Sequence, residues 1–138
     1  LMSAENILRL WNDASAGGRL RPKLKVTAKT SSYTVTLDDF GSVLTTRGAS
    51  GAITFTLPAA TSINKGDWVL FVNVVNQNMI VAGADEGLLT FNDQSADSIA
   101  FQTTSEKIGG MFLAISDGTK WIVVPIATET QTVTVTSA

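Results

Sequence analysis

The carboxylate pair Asp38-Asp39 is the first place where this chain could carry chemistry, because its 138 residues include no histidine and no cysteine. The commonest proton shuttle and the thiol nucleophile are therefore missing. Neighbouring residues of a strand point to opposite faces, whereas carboxylates in a turn accept hydrogen bonds from backbone N–H groups. The spacing favours a turn role over general acid and base catalysis, and we predict that the chain is not an enzyme.

A second group of oxygen ligands lies between residues 85 and 97. Carboxylate and amide oxygens of this kind suit calcium, but their spacing differs from that of a calcium-binding loop. The group comprises Asp85, Glu86, Asn92, Asp93 and Asp97. We predict solvated loops here, with no metal and no cofactor.

Residues 48–51 are glycine-rich, yet no helix with Lys and Ser or Thr follows to complete a phosphate-binding loop, so we predict a turn.

Six aromatic residues fall at alternating positions of predicted strands, where such side chains usually belong to the core. They are Tyr33, Phe55, Trp68, Phe71, Phe112 and Trp121. Trp121 lies beside the predicted turn Asp117-Gly118 and is the one candidate for stacking on a carbohydrate.

The composition favours a single domain that works through its surfaces. Hydrophobic residues make up 44% and charged residues 16% of the chain, which is less charge than the quarter or so of an ordinary domain. Part of the apolar surface is therefore expected to face another chain. No uncharged run reaches the roughly 18 residues of a membrane span, and the first residues lack the order of a secretion signal. We expect synthesis in the cytoplasm and no membrane partner.

Charge is divided unevenly along the chain, although the net charge is only −2. Residues 1–30 hold six basic and two acidic side chains, giving +4, and residues 31–138 hold four and ten, giving −6. Complementary charge steers protein partners, so the basic segment suits an acidic protein surface. Without interleaved aromatics, and attached to an acidic body, it does not suit nucleic acid.

Residues 1–32 are predicted to form an N-terminal attachment arm, with a short helix followed by a basic linker. Apolar residues cluster within 4–14 after Ser3, and Gly17-Gly18 ends the helix. A helix this short is marginal alone in water and needs a surface to pack against, either its own body or a partner.

Residues 33–138 are predicted to form the body, because the hydrophobic period changes to two at Tyr33. Hairpin turns are expected at 48–51 and 117–118, a turn at 76–78, and polar loops at 83–87 and 92–98. Residues 68–72 are predicted to form a central strand buried on both faces, and Ile99 and Phe101 an edge strand. The alternating tail, 128–136, is expected to pair with its own sheet or a neighbour's.

Short strands with frequent turns predict the fold class. It is all-β, a single antiparallel β-sandwich or jelly-roll-like domain with a short N-terminal helical arm.

Three segments of the body resemble a small β domain that recurs in virion proteins of tailed bacteriophages, including capsid decoration, head-fibre and tail-fibre proteins. They are residues 33–44, with Leu37-Asp38-Asp39-Phe40-Gly41, residues 51–60, and residues 116–123, with Asp117-Gly118-Thr119-Lys120-Trp121. The resemblance implies a rigid β module displayed on a particle, usually as a symmetric oligomer and here preferably a trimer.

Without repeats or a stalk, the chain is more similar to a capsid decoration or cement protein than to a tail fibre. The implied partner is the major capsid protein, and the implied location is the capsid surface of the virion. The residues expected to bind the capsid are those of the arm: Ile7, Leu8, Leu10, Trp11, Arg19, Arg21 and Lys23. The alternative is a receptor-binding module of a tail fibre or spike, with a host-surface receptor or glycan bound near residues 85–97 and Trp121.

Overall fold

A computed structural model describes residues 23–63, 65–102, 107–128 and 131–137, together with Ala4. The predicted helix of residues 4–14, apart from Ala4, lies outside the described residues. The same holds for Ile7, Leu8, Leu10, Trp11, Arg19 and Arg21, so their role in binding stays a prediction. From residue 23 onward the described stretches contain two 3-10 turns, Leu37–Asp39 and Ala60–Ser62, and no α-helix. The helical arm of the predicted fold is thus without structural support.

The described body is mostly β, with two sheets packed around one core. The strands are β1 (Val26–Ala28), β2 (Tyr33–Thr34), β3 (Val43–Thr45), β4 (Ile53–Thr56), β5 (Trp68–Val72), β6 (Met79–Ala82), β7 (Leu88–Thr90), β8 (Asp93–Ala96), β9 (Ser98–Phe101), β10 (Met111–Ser116), β11 (Trp121–Ile126) and β12 (Val133–Thr136). One sheet has the order β1-β3-β5-β10-β11-β7-β8 and the other β12-β9-β6-β4-β2. The inner faces of the two sheets supply the core, as in a sandwich.

The first six strands wind back and forth between the two sheets. β1, β3 and β5 are parallel neighbours in the larger sheet, and β2, β4 and β6 are parallel neighbours in the smaller one. Residues 48–51 consequently carry the chain from one sheet to the other and do not close a hairpin, contrary to the prediction. The fully antiparallel sandwich is also wrong, since five of the ten strand pairings among the described residues are parallel.

A buried polar pair ties together two corners of this winding. Thr46 follows β3 and Asn73 follows β5, and neither side chain has exposed surface. The Thr46 hydroxyl donates to Asn73 Oδ1 at 2.7 Å and accepts from the Val74 N–H at 3.0 Å. The Asn73 amide in turn donates to the Gln77 carbonyl at 2.9 Å. Every buried polar group at these corners has a partner, which stacked parallel turns require because their connecting backbone lies next to the core.

Antiparallel pairing prevails in the second half of the body, and it confirms two predictions. β10 and β11 form a hairpin around 117–118, where Asp117 Oδ1 accepts from the N–H groups of Thr119 and Lys120. β12 pairs with β9 of its own sheet, so the tail is an ordered strand.

Two predictions for this half are wrong. β9 lies between β6 and β12 and is not an edge strand, because the tail covers its free side. Residues 93–96 form β8 where a polar loop was expected. Their pairing with β7 is a tertiary contact. The polar sequence of residues 93–96 has no alternating pattern that would predict a strand.

β5 is a central strand, as predicted, because it lies between β3 and β10. It is buried on one face only. Val69 and Phe71 are fully buried, whereas Trp68, Leu70 and Val72 on the other face remain partly exposed. The continuous apolar run therefore serves two different surfaces.

Candidate interaction surface

The outward side of the larger sheet is apolar across its three middle strands, and we call it the outer face. In β5, β10 and β11, all of which are fully described, alternate residues point away from the core. All nine outward residues are nonpolar: Trp68, Leu70, Val72, Met111, Leu113, Ile115, Ile122, Val124 and Ile126. An isolated exposed aliphatic residue is ordinary, but a continuous set is typical of an interaction site.

Strand register arranges these side chains in cross-strand rows. One row joins Leu70, Leu113 and Val124, and the next joins Trp68, Ile115 and Ile122. Paired residues on one face lie about 5 Å apart, so each row is a continuous apolar ridge. A groove of about 370 Å³, lined by Trp68, Leu113, Ile115 and Gly66, runs between the ridges at one end.

The first row continues over Val43, which is buried, to Val26 at the edge of the sheet. The three strands of the outer face, at about 4.8 Å and with about six residues of 3.4 Å each, give it an area on the order of 300 Å². None of the outward residues of β5, β10 and β11 carries charge.

A strained turn borders the outer face. Phe91 and Asn92 connect β7 to β8 with φ values of 36° and 66°, as a type I′ turn requires at both central residues. Asn tolerates this conformation, but Phe does so at a cost of about 1–3 kcal/mol. The Phe91 side chain is nevertheless 68% exposed and overhangs a groove of about 450 Å³ that Ile122 and Val124 also line.

We expect Phe91→Gly to raise the free energy of unfolding by up to about 1 kcal/mol, because glycine adopts positive φ without strain. Phe91→Ala keeps the unfavourable conformation and removes the same exposed ring, so it should leave stability unchanged within about 0.5 kcal/mol. Urea denaturation of the two variants separates backbone strain from side-chain contacts. Equal changes in the free energy of unfolding for Phe91→Gly and Phe91→Ala would contradict the assignment of backbone strain to Phe91.

Asp39 braces the turn that precedes β3. Its side chain is 6% exposed and accepts hydrogen bonds from the Tyr33 hydroxyl at 2.7 Å, the Thr36 N–H at 2.8 Å and the Thr36 hydroxyl at 3.1 Å. The Lys29 ammonium lies 3.6 Å from the Tyr33 ring centroid. The predicted turn role is confirmed for Asp39, which holds a backbone N–H group.

The pKa of Asp39 reflects two opposing influences. Burial raises it, but the hydrogen bonds from the Thr36 N–H, the Tyr33 hydroxyl and the Thr36 hydroxyl outweigh burial and hold the pKa below the ordinary 3.8. The ionised form is therefore favoured by folding, and its contribution is full above the ordinary pKa and is lost as pH falls through the lowered one.

Asp39→Asn should lower the free energy of unfolding at pH 7 by about 1–3 kcal/mol, because it removes charge-assisted hydrogen bonds. Below the lowered pKa the two proteins should converge, because Asp39 is then protonated in the wild type as well. Urea titrations from pH 7 down to about pH 2 test this. A stability difference that is the same at both ends of the titration would contradict the assignment.

The other predicted sites do not assemble. Trp121 is 1% exposed, and its indole N–H donates to the Pro58 carbonyl at 2.7 Å, so it is wrong as a sugar platform. The Asp97 carboxylate accepts from the Glu86 N–H, and Asp93 accepts from the Ser95 N–H. Within the described residues, no cluster of three or more carboxylate or similar ligands could hold a metal.

Lys23 is the one predicted capsid-binding residue that the structure describes, and it is exposed ahead of β1.

The outer face was not predicted from the sequence, although a signal for it was present. The apolar run 68–72 was interpreted as a strand buried on both faces, and the low charge as a contact surface without a location. In the part of the chain that the structure describes, no helix is both long and apolar enough to cross a membrane.

Comparison of the chain with protein-family models, with curated proteins and with solved structures gave no match.

Proposed function

We propose that this chain is a non-enzymatic structural protein of a bacteriophage virion, a decoration or cement protein that binds and stabilises the assembled capsid. The observation that carries the proposal is the outer face, a broad uncharged surface on a β body. A protein that works by association needs such surfaces, for the particle or for further copies of itself, whereas catalysis needs converging polar groups in a pocket. The resemblance of residues 33–44, 51–60 and 116–123 to phage virion domains supports a phage virion as the particle to which the protein attaches.

Rigidity of the body supports the same role. The described residues contain no buried side-chain nitrogen or oxygen atom without a hydrogen-bond partner, and the strands of the winding are pinned at Thr46 and Asn73. Buried apolar contacts and satisfied hydrogen bonds raise the free energy of local unfolding in such a body. Cementing a shell against internal genome pressure requires that property.

The division of charge supports an arm that attaches to the capsid while the body stays outside. Lys23 and Lys25 are exposed where the chain enters β1, the edge strand of the larger sheet. The proposed capsid contacts are Ile7, Leu8, Leu10, Trp11, Arg19, Arg21 and Lys23. Many modest contacts on one particle add through avidity.

The copy number of this chain in purified particles tests the proposal, with the major capsid protein as the internal standard in quantitative mass spectrometry. A number comparable to that of the capsid protein supports decoration. A few copies per particle would move the protein to a fibre, spike or neck, and absence from particles would overturn a virion role. Deleting residues 1–22, which leaves β1 in the larger sheet, should abolish binding to preassembled heads, whereas Leu37→Lys, which alters an exposed residue of the body, should not.

A receptor-binding module of a tail fibre or spike is the second candidate, and Phe91 is the observation that favours it. An exposed aromatic ring stands beside Asn92, Asp93 and Gln94 over the 450 Å³ groove, a combination suited to stacking on a sugar. Binding of the full chain to host cells, abolished by Phe91→Ala and retained after deletion of residues 1–22, would support this candidate against decoration.

A further inference from the structure

We propose that the outer face is the contact between copies of this chain, so that each copy covers the face of a neighbour. The inference concerns the free protein in solution and holds whether or not the chain decorates a capsid.

The composition of the outer face points to a homo-oligomer. Interfaces between proteins that also exist apart are only about as apolar as ordinary surface, and the centres of homo-oligomer interfaces are more apolar. Here every outward position of β5, β10 and β11 is nonpolar. A face of this kind left open to water would favour aggregation, so its partner must be available as soon as the chain folds. Another copy of the same chain meets that condition.

Charge gives a second and independent reason. When identical faces meet across a twofold axis, a net charge on one face lies opposite the same net charge on the other, and the two repel. The outer face has no charge to repel, although ten acidic side chains lie elsewhere in residues 31–138. A partner recognised by charge would instead require complementary charges on this surface.

Shape is consistent with the same partner. The outer face belongs to a regular sheet, and sheets pack face to face about 10 Å apart when both surfaces are apolar. The two sheets inside the chain already meet in this way, with Phe55 and Phe71 in contact across the core at a centroid distance of 4.8 Å. The rows through Leu113 and Ile115 offer a second copy the same ridged surface.

The area of the face sets the expected strength. About 300 Å² of sheet per copy is less than the roughly 800 Å² per partner of a standard interface. We therefore expect association with a Kd in the micromolar range, visible as a mass that increases with concentration. A face that packs against its own copy closes on a twofold axis, so the expected mass at saturation is that of a dimer.

Sedimentation equilibrium of the full chain tests the proposal, from about 1 to 100 µM, a range that spans a micromolar Kd. The wild type should reach a multiple of 14.6 kDa. Val124→Lys changes a residue in the middle of the face that is 42% exposed in the single chain, so folding should tolerate it. Association should weaken at least about 100-fold, because a lysine ammonium would be buried against its own copy.

The matched control is Leu37→Lys, which makes the same change at a residue that is 70% exposed but lies in the 3-10 turn Leu37–Asp39, outside β5, β10 and β11. It should associate like the wild type. If far-ultraviolet circular dichroism shows that Val124→Lys does not fold, Val124→Thr takes its place, with a smaller expected weakening of about 10-fold. A monomeric wild type at about 100 µM would overturn the proposal. Unchanged association of the folded Val124 variant, or equal loss in Leu37→Lys, would overturn the assignment of the face.

Discussion

Replacing Trp121 by alanine should lower the free energy of unfolding by about 3–5 kcal/mol, the largest effect expected for a single substitution in this chain. Trp121 begins β11, pairs with Leu88 and is 1% exposed. Its ring stacks on Phe40 at a centroid distance of 5.4 Å, and its N–H bonds to Pro58, 63 positions away in the chain. Truncation would leave a cavity and an unpaired carbonyl at the junction of three segments.

Two further variants separate the contributions of Trp121. Trp121→Phe retains a ring but leaves the Pro58 carbonyl without its donor, so about 1–3 kcal/mol of the loss should remain. Trp68→Ala is the matched control, because Trp68 lies in the same sheet but points outward and is partly exposed. It should cost much less than Trp121→Ala.

Urea denaturation followed by far-ultraviolet circular dichroism, at protein concentrations where the chain is monomeric, measures all three variants. Equal losses for Trp68→Ala and Trp121→Ala would contradict the assignment of their two faces. Full stability of Trp121→Phe would show that the indole hydrogen bond contributes little.

Replacing Gly110 by alanine should lower the free energy of unfolding by about 1–3 kcal/mol, because the added methyl group has no space. A Cβ atom at this position would lie 2.8 Å from Phe101 Cζ and 2.9 Å from its Cε atoms. Phe101 is fully buried and stacks on Phe112 at a centroid distance of 4.5 Å, so the ring cannot move aside. Relief requires a shift of the backbone that leads into β10.

Gly51→Ala is the control for the Gly110 variant. No heavy atom lies within 4 Å of a Cβ built at Gly51, and its backbone does not have a positive φ. Alanine there should be neutral or stabilise by up to about 1 kcal/mol through the unfolded chain. Thermal and urea unfolding of the two variants should therefore move in opposite directions or differ clearly in size. A neutral Gly110→Ala would show that Phe101 has room to adjust.

The strands and their inward residues could be predicted because a period of two is local. Phe55, Phe71 and Phe112 were expected in the core, and all three are fully buried. The hairpin turn at 117–118 could also be predicted from the sequence. The Asp117 side chain accepts a hydrogen bond from a backbone N–H of the turn, and Gly118 adopts a positive φ, as tight turns require. These features depend on residues only a few positions apart.

The route of the chain between the sheets could not be predicted in the same way. Residues 48–51 are compatible with a hairpin as well as with a crossing between the sheets. The contacts that accompany the crossing are long-range, such as the hydrogen bond between Thr46 and Asn73, 27 positions apart. The outer face has the same origin. The run 68–72 is compatible with burial on both faces, and only the absence of a layer over β5, β10 and β11 within the described residues makes one side a surface.

By itself, the sequence determined that the body is built from β-strands with an apolar side, that the tail forms a strand, and that histidine and cysteine chemistry is excluded. Tertiary structure alone decided which strands are neighbours, which are parallel, and where the surplus of apolar residues comes together. The reason is physical: alternation states which side of a strand is apolar, but partner and register follow from the free energy of long-range packing. The contact of Trp121 with Pro58 and the rows of the outer face exist only after that packing.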